Sequence, residues 1–167
     1  MKRILSMTAL ICILLSLSAC SAEPPGLADA FESDFYTALG DTEYRGRLTA
    51  DNDSFTFLMN APYTVEGMSF EYTDDGLSID KNGMKTEINC DYIPSAALPS
   101  MLHNALTYLD SASYKGSEDG DDIYTLPTPY GDAEIRAING LPRMLTLPDG
   151  AEISFDNARM IGQTDPL

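Results

Sequence analysis

Phe55-Thr56-Phe57-Leu58-Met59-Asn60-Ala61-Pro62 and, after a short connection, Met68-Ser69-Phe70-Glu71-Tyr72-Thr73 decide the fold of this chain. In the first run Phe55, Phe57 and Met59 alternate with Thr56 and Leu58. In the second, Met68, Phe70 and Tyr72 alternate with Ser69, Glu71 and Thr73. A period of two places each apolar set on one face of a strand, so the pair reads as neighbouring antiparallel strands with one face turned to a core. Pro62 ends the first strand, since it brings no amide donor to a ladder.

Outward from this pair the turn signals multiply. Asp75-Gly76 and Asn82-Gly83 tolerate the positive φ angles of two-residue hairpins, and they bound strands at Leu77 to Lys81 and Met84 to Cys90. Upstream, Tyr44, Gly46 and Leu48 alternate with Arg45, Arg47 and Thr49, which extends the meander back to Thr42. From Ala96 to Leu109 the period becomes helical: Leu98, Met101, Leu102, Ala105, Leu106 and Leu109 form a stripe, with Pro99 in the first turn and Ser100, His103, Asn104 and Thr107 mostly off it. Beyond Glu118-Asp119-Gly120-Asp121-Asp122, short strands are expected at Ile123 to Leu126, Ala133 to Ile138, Arg143 to Leu147 and Glu152 to Ile161, turned by Asn139-Gly140 and Asp149-Gly150. The two strand blocks flanking the helix are candidates for a single sheet. Ahead of the meander, Leu27, Ala28, Phe31, Phe35, Ala38 and Leu39 fall near one helical face with Gly40 after them, which predicts a first helix over Leu27 to Leu39. The fold class expected is α+β, mainly antiparallel β: a curled meander with an N-terminal and a central helix, the central one covering the concave apolar face.

The start of the chain has another logic. Lys2 and Arg3 precede an apolar run from Ile4 to Leu17 that is short for a bilayer span, and small residues follow, as in an export signal. Leu17-Ser18-Ala19-Cys20 resembles the lipobox of bacterial lipoproteins. The resemblance implies cleavage before Cys20, a thioether diacylglycerol on Cys20, and further acylation, with palmitate among the usual chains. It places the protein outside the cytoplasm, anchored to a bacterial membrane at the cell envelope. The alternative is an ordinary secretory signal in which Cys20 is one more small residue. On this reading residues 1–19 are removed, 20–26 (with Pro24-Pro25-Gly26) form a lipidated tether reaching about 20 Å, 27–161 form one domain, and 162–167 are a loose tail.

Composition narrows the partners. Of 167 residues, ten are Lys or Arg and 26 are Asp or Glu, for a net charge of −16. All the acids lie after the signal and two bases lie within it, so the mature chain has eight bases against 26 acids. Such a surface repels phosphate backbones, which excludes nucleic acid as a partner, and it repels anionic lipid heads, so the anchor rather than charge must hold the membrane. Cys12 leaves with the signal and Cys20 is acylated, so Cys90 has no partner in the chain. Sharing parity with Met84 and Ile88, Cys90 reads as a buried inert thiol.

Catalytic chemistry finds little material. One histidine and no close cysteine pair leave zinc without ligands, and neither Asp51-Asn52-Asp53 nor the Glu118 to Asp122 run has the length and terminal acid of a calcium loop. Both read as solvated turns. His103, the sole conventional base, falls on the polar side of a helix as an exposed residue, and no GxSxG elbow or phosphate-cradling glycine loop is present. The chain is therefore expected to be non-enzymatic, with no metal and no cofactor. What remains is apolar: Phe55, Phe57, Met59, Met68, Phe70, Tyr72, Leu77 and Ile79 share one side of adjacent strands, with Met101 and Leu102 on the helix above them. A dry core is the commoner use of such a face, and a groove for an apolar ligand is the sharper one.

From Leu27 to Leu109 this arrangement resembles the superfamily of bacterial lipoprotein carriers and receptors, LolA and LolB, and the related lipid-binding lipoproteins. The resemblance rests on the first helix, Phe55 to Pro62, Met68 to Tyr72, the Asp75-Gly76 hairpin and the central helix. It implies an unclosed half-barrel with helices on its concave face. The carriers have an arginine near the Pro-bearing strand end; here Asn60-Ala61 precede Pro62, so the carrier mechanism does not transfer. The function implied is an anchored half-barrel that binds an acyl chain or another apolar small molecule or lipid. The alternative is an interaction or regulatory module for an envelope protein, with a solid core and no ligand.

Overall fold

The computed structural model describes residues 26–52, 54–73, 76–89 and 94–162. Cys20, Cys90 and the tail from 163 onward, on which several expectations fall, lie outside them. Eleven strands form one unclosed antiparallel sheet: β1 (Ala30–Leu39), β2 (Thr42–Asp51), β3 (Ser54–Ala61), β4 (Met68–Thr73), β5 (Gly76–Lys81), β6 (Met84–Ile88), β7 (Ser113–Glu118), β8 (Asp121–Thr128), β9 (Gly131–Ile138), β10 (Leu141–Thr146) and β11 (Glu152–Met160). Among the described residues one α-helix, α1 (Leu98–Leu106), and a 3₁₀ turn at Leu109–Ser111 separate the two strand blocks. The order across the sheet is β6-β5-β4-β3-β2-β1-β11-β10-β9-β8-β7, so two meanders of consecutive strands meet where the first strand pairs with the last. This is the expected unclosed half-barrel with a helix, built as one sheet.

One element is corrected. Leu27 to Leu39, expected to be a helix, holds β1, the central strand of the sheet. Phe31 and Phe35, four residues apart, suit a helix stripe and a strand face alike. The positions that break the tie, Ser33 and Thr37, are polar yet face inward and are buried. Their hydroxyls donate to the carbonyls of Asp156 (2.8 Å) and Glu152 (2.6 Å) on β11, so buried polarity is satisfied by the neighbouring strand rather than avoided. β7, not anticipated at all, is an exposed edge strand without an apolar alternation to announce it.

The first meander keeps the register that its alternation predicts. Phe57 lies opposite Phe70 and Phe55 opposite Tyr72, and Phe70 and Tyr72 in turn oppose Ile79 and Leu77. The same inward face continues through Leu48 and Ala50 to Ile153, Phe155, Leu145, Ile135 and Leu126, giving one contiguous core. The outer face is polar and laced with ion pairs. Arg47 and Asn157 both donate to the Asp34 carboxylate (3.1 Å each), at a bulge where β11 gains a residue against β1. The Asn157 hydrogen bond, with help from Arg47 and Arg159, holds the Asp34 carboxyl below its ordinary pKa against a smaller opposing effect of desolvation.

Gly46 explains how β2 sits so close to its neighbours. A Cβ there would lie 2.4 Å from the Leu58 carbonyl oxygen and 2.7 Å from the Phe35 ring, which packs across the space the glycine leaves. Gly46→Ala is expected to destabilise the domain by about 1–3 kcal/mol, the usual cost of overpacking, read as a lower urea midpoint with an unchanged slope.

Candidate functional site

α1 lies in the concavity of the sheet, and a cradle on several sides buries a wider arc than one stripe. Leu98, Leu102, Ala105 and Leu106 are buried as expected, but so is Ser100, and Met101, His103 and Asn104 are half-buried. Pro99 occupies the first turn, where a missing amide costs nothing. Tyr72 pins the helix to β4: its hydroxyl and that of Ser100 share a hydrogen bond of 3.1 Å in the interior, and its ring stacks on His103 at 4.2 Å between centroids. Phe55 meets the same imidazole edge-on at 5.5 Å, and Phe57 meets Tyr72 edge-on at 6.0 Å. His103 is thus not the exposed histidine expected from its off-stripe position. Burial lowers its pKa from the ordinary 6.5, because the imidazolium loses hydration that the rings only partly replace.

Of the ten residues expected to line a groove, Phe55, Phe57, Met59, Tyr72, Leu77 and Leu102 are at most 4% exposed and form core, while Met68, Phe70, Ile79 and Met101 are half-buried. Space remains around the helix rather than beneath it. One recess of about 240 Å³ lies beside its N-terminal end, floored by Met59, Phe70 and Tyr72 and walled by Leu39, Tyr44, Val65 and Ala97 to Pro99. A second, of about 340 Å³, lies on the other flank between Met101, Ala105 and the β8–β9 and β10–β11 turns, which contribute Thr128, Tyr130 and Leu147 to Asp149. A third, of about 490 Å³, lies at the C-terminal end of the helix, where Asp29, Asn52, Thr73 and Asp110 rim Phe55, His103 and Leu106. Met68 and Ile79 line none of the three.

Sequence reasoning missed Leu39, Tyr44 and Val65, and it missed every contribution from the second strand block. Tyr44 carried a signal, being on the inward parity of β2. Thr128, Tyr130 and Asp149 carried none beyond their turn chemistry. Among the described residues no group of three or more His, Cys, Asp or Glu is placed to hold a metal, and no helix is long and apolar enough to cross a membrane.

No protein-family model matches the chain, and no curated protein matches it. Among solved structures it is similar to an uncharacterized conserved protein from Thermus thermophilus, at 10% identity and a TM-score of 0.51 over 83% of each chain. It is also matched by a LolA superfamily protein from Nitrosomonas europaea, at 12% identity and a TM-score of 0.44 over 86% of this chain and 90% of that one. A third match is the structure of the CwlD amidase from Clostridioides difficile in complex with the GerS lipoprotein, at 9% identity and a TM-score of 0.38 over 96% and 95%. The Thermus likeness is one of fold alone. The other two align too loosely to bear on function.

The Tyr72 contacts generate two predictions. Tyr72→Phe removes the shared hydrogen bond and leaves Ser100 buried, which is expected to cost about 1–2 kcal/mol in urea unfolding. For His103, whose folded pKa is depressed, the unfolded chain binds the proton first. Its stabilising contribution is complete above pH 6.5 and is lost as pH falls from there through the folded pKa. The fall in urea midpoint from pH 7 to pH 5 is therefore expected to be smaller in His103→Gln than in the wild type.

Proposed function

We propose that this chain is a non-enzymatic, lipid-anchored extracytoplasmic lipoprotein whose half-barrel binds an acyl chain or a similar apolar ligand beside α1. The recess between Met59, Phe70, Tyr72 and the start of α1 carries this reading. Its lining is almost wholly apolar, and it lies between a helix and the strands whose alternation marked them as a groove. Flexible Met59 beside two aromatic rings suits an irregular chain. Anchoring rests on the lipobox-like Leu17-Ser18-Ala19-Cys20. The non-enzymatic reading is supported by the setting of His103: its ring is packed against Tyr72 and Phe55, and the Thr107 hydroxyl, 3.4 Å from its Nε2, has its proton donated to the His103 backbone carbonyl at 2.8 Å.

The competing reading is an envelope protein-interaction module with a solid core. Its support is the burial of six of the ten groove residues, together with the exposure of Tyr63, Met84 and Tyr130 at 87%, 71% and 63%.

Native purification of the mature chain carrying Cys20→Ser, followed by solvent extraction and lipid mass spectrometry against a control protein, separates the two. A stoichiometric co-purifying lipid, or uptake of added lipid that Phe70→Asp abolishes and Phe70→Leu merely alters, is the outcome expected of a groove. A clean extract with no uptake leaves the interaction module. Independently, metabolic labelling with a palmitate analogue should tag the wild type and not Cys20→Ala, and Cys20→Ala should leave the membrane fraction.

A further inference from the structure

We infer that the two recesses flanking the N-terminal end of α1 form one site for a single-chain amphiphile whose head group is uncharged. The inference rests on the proposed apolar-ligand function and adds the chemistry of the head. Both recesses abut Ala96, an exposed residue on the segment leading into the helix. They differ in character. The one floored by Phe70 offers a chain mostly apolar surface, including the rings of Tyr44, Phe70 and Tyr72. The one across Ala96 has an apolar floor of Met101, Ala105 and Leu147 but carries Ser95, Asn104, Thr128 and Asp149 around it.

Ser95 and Asn104 make no side-chain hydrogen bond within the described residues, so both are available to a hydroxyl or ester. Asp149 already accepts the Ala151 amide through Oδ1, and its second oxygen adds negative charge at the rim.

Among the described residues, no lysine or arginine lines any of the three recesses. The described arginines are spent elsewhere: Arg45 pairs with Glu43, Arg47 with Asp34, Arg136 with Glu118 and Glu134, Arg143 with Asp121, and Arg159 with Glu32. A carboxylate or phosphate head would enter without a counter-charge, beside Asp149, in a chain of net charge −16. The positive end of α1 offers an opposing field. It belongs to a helix of only nine residues whose Pro99 supplies no amide, and such a field fades within the first turn.

The test uses the mature chain with Cys20→Ser, titrated at pH 8 and below micellar concentrations with a 1-monoacylglycerol and with the fatty acid of the same chain length. The monoacylglycerol is expected to bind at least tenfold more tightly. Equal affinities, or a preference for the fatty acid, would overturn the inference while leaving the groove intact. Binding of neither would remove the groove and the inference together. A second variant locates the head: Ser95→Lys, on an exposed stretch away from the core, is expected to raise fatty-acid affinity about fivefold or more and to weaken the monoacylglycerol, which loses the Ser95 hydroxyl. No gain for the fatty acid would place the head elsewhere and overturn the assignment to this recess.

Discussion

The pairing of β1 with β11 is the constraint on which the rest of the structure depends. Without it the chain would be two separate meanders, each with an exposed apolar face and a free central edge, a poor arrangement for a protein in water. With it, residues more than a hundred positions apart share a ladder, and the inward faces of both blocks become one concave surface. Ser33 and Thr37 strengthen that seam from the inside, each donating to a β11 carbonyl. A bulge at the same seam turns Asn157 toward Asp34, adding polar contacts on the outside.

The concavity then dictates what the helix can be. A helix on a flat sheet buries one stripe and leaves the rest to solvent. α1 is flanked by strands from both blocks and needs polar residues that tolerate enclosure. Ser100 meets this by sharing a hydrogen bond with Tyr72, and His103 by staying neutral against aromatic rings. Tyr72 serves the sheet, the helix and the recess together, since its ring is core, its hydroxyl is a tie, and its edge lines the recess beside Leu98.

Much of this was legible in the sequence, and the failures have particular causes. The first meander alternates cleanly because one face is core and the other is charged, so Phe55 to Leu77 could be placed by parity alone. β1 was misread because its inward face carries two hydroxyl residues and its outward face carries Tyr36 and Ala38, which inverts the usual pattern. Such an inversion is intelligible only once β11 is known to supply the acceptors. The groove residues were correctly placed on one face, yet parity cannot tell a face that is filled from one that is hollow. That depends on where α1 rests, and hence on Thr128, Tyr130 and Asp149, turn residues whose neighbours are fixed by the whole sheet. His103 was misjudged for the same reason, since a helical wheel assumes that burial comes from one side.

The direction of the strands gives the molecule two unlike ends. The chain enters at the end where Ala28 is bonded to Gly140 and where Asp29, Asn52 and Asp110 rim the polar recess. Both apolar recesses open at the other end, beside the β1–β2, β3–β4, β8–β9 and β10–β11 connections. Ten residues of strand separate these ends by roughly 30 Å, more than the roughly 20 Å that six fully extended residues span. On the proposed attachment at Cys20, the domain could not somersault to press its apolar mouths head-on into the bilayer that held it. On the same proposal a ligand would come and go on the outward side, in the manner of a mooring post that offers its hook to passing traffic.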